Sequence, residues 1–462
     1  MKEYQKSLFL FRRDLRITDN TGLIESCRRS VQSIPCFVLD PRILKNQNLE
    51  IPSFRLQFLH DCIKDLHKQL ENRKSSLHIF SGYPEKIITN LIGSLKINAV
   101  FVNTDYSPFS KKRDNRIKKV CKEYKVDFIS TNDLLLHDVD EIKTIKGEPY
   151  KIFTSFFSKA KELPVRNPQN FQFPNLSNQK IKSEIPADKL KTYFGKSSPN
   201  LLFRGGRDSC MSLLDNLHNL KNYDNDRNYP SIKGTSMLSA HNKFGTCSIR
   251  EIYHKILQDL GPTHTLIAQI HWRDFFTYIM HHFQYSFSQE FNQKYRKIPW
   301  SKNKDAFSKW CQGKTGFPIV DAGMRELNRT GFMHNRLRMI VASFLTKDLH
   351  IDWRLGERYF ASKLIDYDPS INVGNWQWAA STGCDAQPWF RIFNPWLQQE
   401  KFDPDCIYIK KWIPELEETS CKEIQKSNIN HPKNKFDYPK PMINHKTESL
   451  HSKEIFKKIS IK

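Results

Sequence analysis

The strongest constraint in this sequence is a change of period along the chain. The first third alternates short apolar runs with helical patterns. The runs are Ser7–Phe11, Ile34–Leu39, Leu77–Phe80, Ala99–Val102 and Val126–Ile129. Between the second and third, Phe54, Phe58, Cys62, Leu66 and Leu70 recur every four residues, with Leu59 and Ile63 beside them, which is a helix spacing. Strands separated by helices require a parallel sheet with right-handed crossovers. Ligands on such sheets sit at the carboxyl ends of the strands. No strand is followed by a glycine-rich dinucleotide fingerprint or a P-loop. From about Leu163 to Asn200 the chain is rich in Pro, Asn, Lys and Ser and reads as a linker. Beyond Arg204 the pattern is helical, including Thr263–Phe287 and Val320–Leu349. The last residues, from about Lys440, read as a helix with a frayed end.

Composition narrows the function classes. Hydrophobic residues make up 39% and charged residues 26% of the 462 residues, as in a folded globular protein. No stretch approaches the roughly 18 apolar residues of a membrane span, and the charged start Met1–Lys6 is unlike a secretory signal. The 73 Lys and Arg against 49 Asp and Glu leave a net charge of +24, which favours a polyanionic partner. A generally Lys-rich proteome would give the same surplus. The ten cysteines contain no C-x-x-C, so neither a zinc site nor a disulfide framework is expected, and the setting is a reducing cytosol.

Four constellations could carry chemistry. Gly234–Ser239 concentrates hydroxyls and backbone N–H groups in one turn, which suits a phosphate but equally a helix cap. Asp366 and Asp368 stand two apart before Pro369; no His or Cys adjoins them to complete a metal set, and a capped loop has the same pattern. Asn335, Arg338 and Met339 fall within one helical turn, where Arg338 could pair with an anion or simply face solvent. Eight of the nine Trp lie between Trp272 and Trp396, either as core or as stacking and electron-donating rings.

Together these segments resemble the photolyase/cryptochrome family. Phe11–Asn20 is similar to its N-terminal signature, and Thr315–Ala322, Met333–Arg338 and Asn375–Ser381 to those of its helical domain. The likeness runs from about Ser7 to Pro441 and is nearest to class I photolyases for cyclobutane pyrimidine dimers. It implies a Rossmann-like α/β antenna domain with a parallel sheet over residues 1–132, a linker over 133–200, and an all-helical FAD-binding domain over 201–462. It implies FAD contacts at Tyr223, Thr235, Ser236, Met237, Leu238 and Ser239. Arg338 then pairs with Asp366 beside the flavin, Asp368 lies near its polar edge, and Asn372 faces flavin N5. An electron-supply chain maps onto Trp376, Trp353 and Trp300, from flavin to surface. Trp272 and Trp378 would stack on a flipped-out dimer. Asn335, Met339, Arg273 and Arg336 would contact the lesion, and Arg227 the strand. The implied reaction is one-electron transfer from excited, reduced FAD to the dimer, with return of the electron after ring splitting. The implied protein is a cytoplasmic monomer that binds UV-damaged DNA, single- or double-stranded, with no metal.

Three positions depart from the class I pattern. Gln269 stands where a glutamate is usual; its amide donates a hydrogen bond but supplies no proton. Glutamine is found there in (6-4) photolyases and some cryptochromes, yet the (6-4) enzymes carry two histidines where this chain has Asn335 and Met339. Phe332 replaces a frequent Trp. Ser107 replaces a glutamate of the folate-binding branch, leaving a deazaflavin, a folate held otherwise, a flavin or no second chromophore. A cryptochrome-type light receptor is the alternative to repair, although many of those receptors carry a longer C-terminal extension.

Overall fold

The computed structural model describes residues 2–44, 53–182, 184–194, 201–425 and 438–460. Residues 183 and 195–200 of the expected linker, and 426–437 and 461–462 of the expected helical domain, lie outside them, as do residues 1 and 45–52 of the expected antenna domain. The chain divides into two compact units. One comprises Met1–Tyr150, Thr154–Asn219 and Ser236–His281; the other comprises Lys151–Phe153, Leu220–Thr235 and His282–Lys462.

The first unit holds a five-stranded, wholly parallel sheet. Its strands are β1 (Tyr4–Phe11), β2 (Ser30–Leu39), β3 (His78–Ser81), β4 (Ala99–Asn103) and β5 (Asp127–Thr131), in the order β3-β2-β1-β4-β5. Leu8 pairs with Ile34 on one side and Val100 on the other. Both faces are covered, so Leu8, Phe9, Leu10 and Phe11 are all buried and the strand reads as an apolar run rather than an alternation. The expected apolar runs are the observed strands, but β2 begins four residues earlier, at polar Ser30. Buried hydroxyls account for part of this extension: Ser26 shares hydrogen bonds of 2.8 Å with Ser7 and with Ser33. Helices Thr21–Arg29, Ser53–Glu71, Pro84–Leu95 and Pro108–Glu123 form the crossovers. The helix expected from the spacing of Phe54 to Leu70 is the second of these.

The linker is not a free spacer. Asn175 and Ser177 hydrogen-bond the backbone of Ser33, beyond the reach of the short β3, and Ile185 N–H donates to the carbonyl of Ile79. A 3₁₀ turn follows at Ala187–Tyr193.

A buried ionic cluster sits past the carboxyl end of β1. Arg16 pairs with Asp133 at 2.7 Å, and Arg250 pairs with both Asp19 and Asp133 at 2.7 Å. Arg166 adds a contact to Asp19 at 2.6 Å. The side chains of Arg16, Asp19, Asp133 and Arg250 are at most 3% exposed. Burial alone would raise the Asp133 carboxyl; Arg16 and Arg250 outweigh it and hold the group well below the usual carboxylate range.

The second unit is helical. Pro318–Thr330 is its buried hub, and its Asp321 accepts from Thr315 N–H and Oγ1, Gly316 N–H and the Tyr438 hydroxyl. The helical spacing of Val320–Leu349 is interrupted. Gly331 closes the first helix in the left-handed region (φ +71°), where glycine carries no Cβ penalty. His334 then caps Asn335–Ser343, and a π-helical turn, Phe344–Asp348, follows. The C-terminal segment is a helix, His445–Ser460, as expected. One cysteine expectation is corrected: Cys406 and Cys421 are bridged, while the other eight are free. Spacing gave no hint of the pair, because fifteen residues separate them. Among the described residues, no helix is long and apolar enough to cross a membrane, and no group of three or more His, Cys, Asp or Glu is placed to hold a metal ion.

Asp133→Asn should lower the stability of the first unit by about 3–5 kcal/mol, the range for breaking a buried pair. Because the folded carboxyl titrates below its unfolded value, its contribution is present above about pH 4 and is lost on further acidification. Thermal melts of both proteins between pH 7 and pH 3 would check this, with the gap between the two curves constant down to about pH 4 and narrowing below it.

Candidate active site

Eight of the residues singled out from sequence line one cavity of the second unit. It has a volume of about 120 Å³, and its wall includes Asn335, Arg338, Met339, Asp366, Asp368, Asn372, Trp376 and Trp378. Two helices supply most of them. Asn335–Ser343 presents Asn335, Arg338 and Met339 on one face, three and four residues apart. Pro369–Ala379 presents Asn372, Trp376 and Trp378. Asp368 is the N-cap of that second helix, its Oδ1 accepting from Ser370 and Ile371 N–H, so it caps the helix as well as lining the cavity.

Arg338 Nη2 donates to Asp366 Oδ2 at 2.8 Å, and its Nε donates to the Met333 carbonyl. The Asp366 side chain is 4% exposed, yet its Oδ1 has no hydrogen-bond partner. A buried, unpaired carboxylate oxygen on a cavity wall calls for a donor from a ligand. The amide of Asn372 is fixed from behind: Nδ2 donates to Glu357 Oε1 at 3.0 Å and to the Glu357 carbonyl at 3.2 Å. Both N–H bonds are thereby used, leaving the carbonyl Oδ1 as the acceptor at the other end. Burial raises the Glu357 carboxyl, while the hydrogen bonds from Asn372 and Tyr367 act against that rise. The wall thus offers two acceptors, Asp366 Oδ1 and Asn372 Oδ1, a guanidinium, and the apolar faces of Trp376 and Phe360. A planar heteroaromatic ring with N–H donors and carbonyl acceptors, such as a flavin, fits this set.

The three Trp of the expected electron chain lie on touching segments. Trp376 is 2% exposed and Trp353 is 1% exposed. Trp353 opens helix Trp353–Lys363, and Gly356 of that helix abuts the Trp376 ring so closely that a Cβ there would overlap it. Trp300 is half-buried against Tyr295, Ile298 and Phe456. Its neighbour Ser301 forms a parallel bridge with Ile351, two residues before Trp353. Trp310, which carried no role in the sequence reading, has its ring 6.1 Å edge-on from Trp376.

The remaining residues are placed as follows. In the second unit, the Arg336 guanidinium donates to Asn228 Oδ1 and stacks on Phe402, and Arg227 lies over the Tyr223 ring. Thr235 belongs to the same unit. In the first unit, Ser236 and Met237 lead into the short helix Ser239–Phe244, capped by Leu238, and Met237 has a left-handed φ of +55°. Gln269, Trp272 and Arg273 lie on helix Thr265–His282. Trp272 is half-buried and stacks on Phe276, and Arg273 Nη1 donates to the Leu134 carbonyl and Asp274. Sequence reasoning missed Glu357, which no motif marks, and Tyr367, which stood unremarked between the two aspartates.

His334 caps the helix that carries Arg338, and its Nδ1 accepts from Arg336 N–H at 3.2 Å. Burial, with Arg338 and Arg336 adding to it, pushes its pKa down to about 4. The unfolded chain therefore binds this proton first, and stability falls as pH drops from the ordinary value near 6.5 toward 4. This ring should cost the protein about 3 kcal/mol at pH 4 relative to pH 7. His334→Asn, which keeps a capping oxygen, should remove that part of the loss in denaturant titrations at the two pH values.

Residues 266–458 match the family described as the FAD binding domain of DNA photolyase, and residues 7–174 match the DNA photolyase family. A deoxyribodipyrimidine photo-lyase of Synechococcus sp. is 34% identical over 98% of this chain and 96% of its own length. The crystal structure of an archaeal photolyase from Sulfolobus tokodaii with two FAD molecules superposes with a TM-score of 0.88 at 38% identity, covering 98% of this chain and 100% of that one. A Synechocystis cryptochrome superposes with a TM-score of 0.88 at 27% identity, covering 98% and 100%. With both family matches spanning most of its length, the chain belongs to the DNA photolyase family and carries that family's FAD-binding domain.

Proposed function

We propose that the protein is a light-driven repair enzyme that splits cyclobutane pyrimidine dimers in DNA, of the class I type. The observation that supports this most is the cavity wall, where the Arg338–Asp366 pair, the Asn372 amide anchored by Glu357, and the rings of Trp376 and Trp378 converge. FAD, when bound in its reduced form, supplies a photo-excited one-electron donor. The chain's own residues do the rest. Asp366 Oδ1 and Asn372 Oδ1 accept from ring N–H groups, and Arg338 neutralises negative charge at the ring edge. Tyr223, Thr235, Ser236, Met237, Leu238, Ser239 and Asp368 hold the remainder of the cofactor.

Trp272 and Trp378 stack on the extruded dimer, Asn335 and Met339 contact its bases, and Arg273, Arg336 and Arg227 serve the lesion's polar edge and the strand. Asn335 Nδ2 lies 3.7 Å from Met339 Sδ, so the amide is held against the thioether and its oxygen is free to receive a base N–H. Gln269 donates to a pyrimidine carbonyl in place of a glutamate. Trp376, Trp353 and Trp300 resupply electrons when the flavin is oxidised. Phosphate contacts by the basic surplus make affinity for damaged DNA fall with salt.

The reading includes an antenna domain over 1–132, a linker over 133–200 and a catalytic domain over 201–462, acting as a cytoplasmic monomer. A second chromophore belongs in the first unit, and the two FAD molecules of the Sulfolobus tokodaii photolyase favour a flavin there. The likeness to the Synechocystis cryptochrome supports light sensing as the second reading.

The deciding experiment gives prereduced, FAD-loaded protein a thymine cyclobutane dimer in single-stranded DNA, with and without blue light, and a (6-4) product in parallel. Light-dependent loss of the cyclobutane dimer alone is expected, and Gln269→Glu should raise the yield. No repair of either lesion would move the assignment to light sensing. Trp376→Phe should slow photoreduction of oxidised FAD severalfold and leave repair by prereduced enzyme largely intact; equal loss of both would remove it from the electron chain.

A further inference from the structure

The indole N–H of Trp353 has an unusual partner. Glu290 is 2% exposed, and its Oε1 accepts from Trp353 Nε1 at 3.3 Å. Its Oε2 accepts from Arg354 Nη2 at 2.7 Å. The Arg354 guanidinium also lies 4.8 Å from the centre of the Trp353 ring and bonds both oxygens of Asp352 and the Ser288 carbonyl. A cation over an indole opposes removal of an electron from that ring. A carboxylate on its N–H does the reverse, and it sits at the atom that becomes strongly acidic once the ring is oxidised. Trp353 is 1% exposed, so solvent is not at hand to take that proton.

We propose that Glu290 is a positioning residue for electron supply, which offsets the charge of Arg354 and accepts the indole proton when Trp353 is oxidised. This rests on the reading of Trp353 as a member of the electron chain. The oxidant is the photo-excited oxidised flavin, acting through Trp376. One electron passes from the Trp353 indole to the oxidised indole of Trp376. The Nε1–H bond breaks and an O–H bond forms at Glu290 Oε1, leaving a neutral indolyl radical and a neutral carboxylic acid. One electron from Trp300 or an external thiol, together with the return of the proton to Nε1, restores both groups. Moving the proton keeps the hole from running back toward the flavin.

The test uses the full-length, FAD-loaded protein carrying Trp300→Phe, so that the hole stops at Trp353. Laser-flash absorption should record a neutral tryptophanyl radical, formed at a rate that slows in heavy water and does not vary with buffer concentration. Adding Glu290→Gln should leave the radical cation instead, with its lifetime shortened severalfold. In the dark, the nitrogen-labelled indole N–H resonance of Trp353 should move upfield in Glu290→Gln, a readout independent of photochemistry. Asp352 still holds Arg354 in that variant, and a thermal melt with bound flavin confirms its fold. A radical cation already present with Glu290 intact, or a neutral radical whose formation scales with buffer, would overturn the proposal alone. Absence of any radical beyond Trp376 would overturn the electron-chain reading and this proposal with it.

Discussion

Two carboxylates and two guanidiniums, buried together, hold the first unit in register. Asp19 and Asp133 come from loops that follow β1 and β5, whereas Arg250 comes from a helix more than a hundred residues later. Charges this deep are costly to desolvate unless each is met. Here Asp133 meets Arg16, Arg250 and the Thr21 hydroxyl, and Asp19 meets Arg250 and Arg166. The arrangement ties the sheet's carboxyl end, the linker and helix Ile249–Leu260 into one body. Much of the Arg-Arg-Asp-Leu-Arg signature is therefore scaffold: Asp14 accepts from Asn103 and the Arg12 N–H, and Arg16 anchors the cluster.

The same economy governs the cavity of the second unit. Helix Asn335–Ser343 is aimed by a histidine cap after a glycine stop, and helix Pro369–Ala379 by an aspartate cap. The residues that cap are sequence neighbours of those that line the wall. A change at His334 or Asp368 thus acts on Arg338 or Asn372 through the direction of a helix. Glu357 belongs to a third helix, so the amide of Asn372 is fixed only when the helices at 353–363 and 369–379 pack.

Period and order made the fold legible. Apolar runs marked the strands, most plainly β1 and β4, which the parallel sheet buries on both faces, while the edge strand β5 is only partly buried; the helix at 53–71 followed from its four-residue spacing. The polar start of β2 was not legible, since a buried serine ladder looks like a loop in sequence. Nor was the break after Thr330, where apolar spacing continues across Gly331. In the site, motif residues on two helices were legible as a group, and eight of them meet at one cavity. Glu357 and Glu290 were not, because each acts on residues distant in sequence, and a lone glutamate carries no spacing signal. The Cys406–Cys421 bridge escaped for the same reason.

The attachment of the linker to Ser33 has a consequence for how the chain can be divided. The short β3 pairs with β2 only from Cys36 to Leu39, so the amino half of β2 would otherwise be an open sheet edge. Residues 175–177 occupy it. A fragment cut just after β5 would lose that cover along with Arg166 and Arg250. It would expose unpaired backbone along the amino half of β2, the condition under which edge strands recruit one another. The α/β region of this chain is accordingly not a detachable module; its sheet is completed by sequence that lies well beyond its last strand.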